Sequence, residues 1–109
     1  MFHRGLTILL LICSTLTMAQ DTLSVMYYNL LNFPNAKANR EDTLRKIVQY
    51  AQPDLFLVCE LQSSSAASDI LNKSLNVGGI THYQMATFID GPDTDNQLFY
   101  NANKIKLVS

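Results

Sequence analysis

The stretch Pro53-Asp54-Leu55-Phe56-Leu57-Val58-Cys59-Glu60-Leu61-Gln62 drives an unbroken apolar run into a single acidic residue. Residues 55–59 show no polar alternation, which predicts a strand buried on both faces. Pro53 suits its first position, where a missing N–H does no harm. A carboxylate at the end of such a strand is costly unless it is paired, hydrogen-bonded or bound to a metal. Glu60 is therefore a candidate site residue; the plainer alternative is a side chain that has reached solvent at the strand end.

Upstream, residues 23–33 carry Leu, Val, Met, Tyr, Tyr, Leu, Leu and Phe with Asn29 and Asn32 among them, and predict a strand running into a loop. Strand alternation places Val25, Tyr27 and Asn29 on one face and Met26, Tyr28 and Leu30 on the other. Both faces are mostly apolar, so the strand is expected to be central. Pro34-Asn35-Ala36-Lys37 supplies a turn. Residues 39–51 change to helical spacing, with Leu44, Ile47, Val48 and Ala51 on one stripe. Asn39 is the expected cap, Glu41 and Asp42 suit the positive end of the helix dipole, and Gln52-Pro53 closes the helix. A strand, a helical crossover and a second strand of one sheet make a parallel pair. The carboxyl ends of both strands then point the same way, and Asn29 and Glu60 meet at one edge of the sheet.

Downstream, Ser63-Ser64-Ser65 reads as a loop and cap before a helix with the stripe Ala67, Ile70, Leu71 and Leu75, ended by residues 76–79. Residues 82–89 predict a strand, residues 90–95 a turn and residues 97–100 a strand antiparallel to the first. Residues 104–108 predict the start of one more. No internal repeat, Gly-rich phosphate loop or low-complexity tract is present.

The amino terminus has a different character. His3 and Arg4 give a positive start, residues 6–16 form a short apolar core, and Thr17-Met18-Ala19 is a small-x-small cleavage signal before Gln20. Residues 1–19 are therefore expected to be a signal peptide, the apolar run being shorter than the roughly 18 residues a spanning helix needs. Ile12 before Cys13, where a small residue would be expected, argues against lipid attachment. The chain is expected to be exported, to the periplasm or the extracellular space, with no membrane span left after cleavage. Without Arg4, seven Lys or Arg face nine Asp or Glu, a formal net charge of −2. No basic field exists to drive polynucleotide binding by phosphate neutralisation. Cys59 has no internal disulfide partner once Cys13 is removed, and its place in an apolar strand predicts an inert core thiol. His82 has no second histidine or cysteine nearby in sequence, so zinc chemistry is poorly supported.

A carboxylate and an amide at the mouth of a sheet are a modest set of tools. Glu60 suits magnesium, which takes one or two protein carboxylates and fills its octahedron with water and phosphate oxygens. Asn29 both donates and accepts, and so suits the orientation of a phosphate, a water or another carboxylate. Activation of water on a phosphodiester needs a base, and further cationic or donor groups, beyond these two.

Tyr28-Asn29-Leu30-Leu31-Asn32-Phe33, a helix, and then Pro53-Asp54 through Glu60-Leu61-Gln62 resembles the opening of the endonuclease/exonuclease/phosphatase superfamily, which includes deoxyribonuclease I, exonuclease III and neutral sphingomyelinases. The resemblance implies an α/β (α+β) fold, a two-sheet β-sandwich with flanking helices, of which residues 20–109 are the amino-terminal part. It matches Asn29 to the active-site asparagine of the first strand and Glu60 to the metal-binding glutamate. The cofactor it implies is Mg2+, with Mn2+ or Ca2+ as alternatives, and the partner a phosphodiester substrate, a nucleic acid or a phospholipid head group. Asp95-Asn96-Gln97-Leu98-Phe99-Tyr100-Asn101 is similar to the strand that these enzymes place after the second helix, which makes Asp95 and Asn96 candidate phosphate-proximal residues; a turn cap is the plainer reading of each. Leu31 departs from the acidic residue that the repair endonucleases often place two after the asparagine. The family's catalytic histidine, Asp-x-Asn pair and closing Asp-His have no counterpart in these 109 residues. The family fold spans roughly 250 residues, so the chain is read as a truncated or partial protein, inactive by itself and at best marginally folded, with Phe56, Val58 and Leu98 lacking partners on an uncovered inner face. The function expected is an exported metal-dependent phosphoesterase; the alternative is a non-catalytic exported binding domain.

Overall fold

A computed structural model describes residues 21–108; the expected signal peptide lies outside the described residues. Seven segments follow in order: β1 (Val25–Phe33), α1 (Arg40–Ala51), β2 (Leu55–Leu61), α2 (Ser64–Ile70), a π-helical turn (Leu71–Leu75), β3 (Tyr83–Met85) and β4 (Asp95–Asn101). The strands form one four-stranded mixed sheet in the order β1-β2-β4-β3, so β1, expected to be central, lies at an edge, its apolar Val25 and Tyr27 exposed on the open face. β1 and β2 are parallel, joined by the α1 crossover, while β4 runs antiparallel to both β2 and β3. The fold is α+β, with a mixed sheet and two helices.

The helices cover one face. Phe56 and Val58 of β2 are fully buried there with Phe99 of β4, and the Phe56 and Phe99 rings stack with centroids 5.9 Å apart. Leu44 and Val48 of α1 and Ala66, Ala67 and Ile70 of α2 belong to the same core, with Leu75 after them. Burying side chains of this size stabilises by about 1.5–3 kcal/mol each. On the opposite face Val25 is 61% exposed, Tyr27 66% and Leu57 36%, with Leu98 half-buried beside them. β2 is thus buried on one face and open on the other. The uncovered face carries Leu57 and Leu98, whereas Phe56 and Val58, expected to share it, lie under the helices. Adjacent residues of a strand point to opposite faces, and the helices arrive on the side of the even-numbered ones.

Several local expectations change. Asn39 precedes α1 in a left-handed conformation and makes no capping hydrogen bond through its side chain. Ser63 does cap α2, accepting from Ala66 N at 3.2 Å. Gln52 closes α1 by donating its backbone N–H to Val48 O at 2.7 Å. The strand expected over 82–89 shortens to Tyr83–Met85, because beyond Ala86 the Gln97 amide takes over from the ladder and donates to Ala86 O at 2.7 Å. Residues 104–108 form no strand. Asn101 turns the chain there: its side chain accepts from Asn103 N, and its carbonyl accepts from Lys104 N and Ile105 N.

Candidate functional site

Glu60 lies where two ladders slip at once. Between β1 and β2 the register passes from Asn29↔Cys59 to Phe33↔Leu61, so residues 30–32 stand opposite Glu60 alone. Between β2 and β4 it passes from Val58↔Gln97 to Leu61↔Asp95, so Cys59 and Glu60 stand opposite Asn96. The backbone absorbs these bulges with positive φ at Leu31 (49°), Asn32 (53°) and Glu60 (58°). A left-handed conformation costs a side-chain-bearing residue about 1–2 kcal/mol. Bulges and such outliers gather where a side chain must be re-aimed.

The re-aimed side chain is that of Glu60. Its Oε1 accepts from Asn29 Nδ2 at 2.9 Å and its Oε2 from Asn32 N at 3.2 Å. Asn29 Oδ1 in turn accepts from Leu31 N at 2.8 Å. The expected meeting of Asn29 and Glu60 is therefore direct. Among the described residues Glu60 forms no ion pair with a Lys or Arg. An ionised carboxylate offers about four lone-pair directions, and two donors occupy two of them here. The remainder is available to a cation, and one half-exposed carboxylate is within the number that magnesium uses. The donor set fits such an ion through a single protein ligand; among the described residues no group of three or more His, Cys, Asp or Glu is gathered.

Asp95 and Asn96 part company. Asp95 is buried, and its Oδ1 accepts from Gly91 N at 2.8 Å, which makes it the anchor of the preceding turn. A Cβ on Gly91 would come within 2.8 Å of that oxygen, so a side chain at this position would push the Asp95 carboxylate out of its place. Asn96 is exposed on the open face opposite the Cys59–Glu60 bulge, at the same end of the sheet as Asn29.

Two groups escaped the sequence reading. Tyr27 stands on the open face one turn of the pleat before Asn29, and its hydroxyl is held above its usual pKa, first by its neighbour Cys59, then by desolvation and by the Glu60 carboxylate. It is a neutral donor at pH 7. Cys59 itself is half-buried beside it, outside the helix-covered core expected for an inert thiol. The other group is Asp54, at the opposite end of the parallel strands. Its carboxylate accepts from Ser24 N (3.0 Å), Ser24 Oγ (3.2 Å), Asn101 Nδ2 (3.2 Å) and Lys104 Nζ (3.0 Å). The Ser24 backbone bond leads the causes that hold its pKa down to about 2, against a burial that pushes it up; Lys104, Asn101 and the Ser24 hydroxyl add to the lowering. Ser24 Oγ completes a reciprocal pair by accepting from Asp54 N at 3.0 Å. This aspartate ties β1, β2 and β4 together. The only sequence signal for it was a polar residue between Pro53 and the apolar run.

Among the described residues no helix is long and apolar enough to cross a membrane. No family model, no curated protein and no solved structure matches the chain.

Proposed function

We propose that the chain belongs to an exported, magnesium-dependent phosphoesterase of the endonuclease/exonuclease/phosphatase type. The observation that carries this reading is the Asn29–Glu60 hydrogen bond at the doubly bulged carboxyl end of two parallel strands, 2.9 Å long. Glu60 would hold the divalent cation, which when bound polarises a phosphoryl oxygen and lowers the pKa of water. Asn29 fixes the carboxylate rotamer through its amide nitrogen, and the backbone N–H of Asn32 fixes the second oxygen. Asn96, exposed on the open face, would donate to a phosphate oxygen. The base that activates water and the acid that protonates the leaving group are not among these residues. In a two-sheet sandwich the second sheet would pack on the open face of Val25, Tyr27, Leu57 and Leu98.

Calorimetric titration of Mg2+ into the chain tests the reading. Binding that Glu60→Gln abolishes supports it; a wild-type chain that takes up no Mg2+, Mn2+ or Ca2+ overturns it. The second reading, a non-catalytic exported binding domain, draws on the same open face, since an exposed apolar patch is a common docking surface. It expects no divalent binding at Glu60.

A further inference from the structure

The left-handed residues beside Glu60 are gripped from behind. Arg40, the first residue of α1, donates through Nη1 to Leu30 O and through Nη2 to Leu31 O, the second bond at 3.1 Å. Its guanidinium carbon lies 5.2 Å from the centre of the Phe33 ring, within cation–π range. The two carbonyls belong to the peptide groups that supply Leu31 N–H and Asn32 N–H. In a trans peptide the carbonyl and the N–H point in opposite directions. Leu31 N–H donates to Asn29 Oδ1 at 2.8 Å and Asn32 N–H to Glu60 Oε2 at 3.2 Å. Two successive peptide planes are thus held at both ends, by one guanidinium on the helix side and by Asn29 and Glu60 on the other.

We propose that Arg40 is the positioning residue of the Asn29–Glu60 site and acts through these two peptide planes. Its role as a device for a metal site rests on the phosphoesterase reading; the mechanical coupling does not. The planar fork of arginine reaches two adjacent carbonyls at once, which a lysine ammonium does not reproduce. A cation on each carbonyl also polarises the peptide group and strengthens its N–H as a donor. An arginine that merely packed α1 against the sheet would have no preference for these two amides.

Amide hydrogen exchange, followed by NMR on the whole chain, separates the cases. In Arg40→Gln the Leu31 and Asn32 amides should exchange about tenfold faster, the equivalent of one lost hydrogen bond, while Val48 in the middle of α1 keeps its rate. Arg40→Lys should restore neither amide fully. Equal acceleration at Val48, or no change at Leu31 and Asn32, overturns the proposal. Should Arg40→Gln fail to fold, the wild type decides: its Arg40 Nη protons must exchange slowly, and a freely exchanging guanidinium refutes the grip. Mg2+ titration of the same samples keeps the two readings apart. A wild type that binds no Mg2+ removes the phosphoesterase reading and leaves the exchange pattern to judge Arg40. Mg2+ binding together with a uniform exchange response overturns Arg40 alone.

Discussion

Asn29 Nδ2 donates to Glu60 Oε1 across 2.9 Å although strand alternation assigns the two residues to opposite faces of the sheet. Asn29 follows Val25 and Tyr27 on the open face, whereas Glu60 counts with Phe56 and Val58 on the helix-covered one. The bulge between Asn29↔Cys59 and Phe33↔Leu61, with positive φ at Glu60, brings the carboxylate round to the amide.

Glu60→Gln should separate stability from metal binding. Gln offers one oxygen to the two donors that Asn29 and Asn32 direct at the carboxylate, so one of them faces an amide nitrogen. Water replaces the lost acceptor at this half-exposed position, and the melting transition should move by the equivalent of less than about 1 kcal/mol. Mg2+ affinity should fall at least about tenfold. Unchanged affinity would remove Glu60 as a ligand.

Asp54 gives the protein an acid limit. Its carboxyl titrates at about 2 in the folded chain, below the ordinary 3.8, so between those values the unfolded chain binds more protons. The stabilisation is present in full above pH 4 and is lost as pH falls towards 2. It amounts to about 2 kcal/mol. Urea denaturation at pH 5 and pH 2.5 should show a loss that is absent from Asp54→Asn, which is already destabilised at pH 5. An equal acid response in the two proteins would remove Asp54 as its source.

The two faces of β2 should answer oppositely to substitution. Phe56→Ala removes a fully buried ring stacked on Phe99 and should cost about 3–5 kcal/mol, enough to unfold a marginal domain. Leu57→Thr on the open face should cost little and lower the binding of a hydrophobic dye. Dye binding that persists unchanged in a Leu57→Thr, Leu98→Thr double variant would show that the open face is not its site.

If the chain is exported as proposed, mass spectrometry of the secreted material should find Gln20 at the amino terminus, the outcome that the charged start, short apolar core and Thr17-Met18-Ala19 motif predict. Retention of Met1 would contradict cleavage, and a lipid on Cys13 would contradict release from the membrane.

Hydrophobic period and turn chemistry are local properties, and from them the sequence alone determined the strand–helix–strand order, the parallel β1–β2 pair, the helix stripe of Leu44 and Val48, the Ser63 cap and the antiparallel β3–β4 pair. It also placed Asn29 and Glu60 at the same end of the sheet. Tertiary structure decided which face of β2 the helices cover, since five apolar residues in a row carry no period that marks an inside. It decided that Glu60 turns toward Asn29, because a bulge depends on the register of two partner strands and leaves no periodic trace in either. It also decided that Asp54, to which the sequence reading gave no structural role, joins Ser24, Asn101 and Lys104, and that Lys104 folds back to it instead of opening another strand. Such contacts join residues up to 50 positions apart, and their energy exists only once the chain has closed on itself.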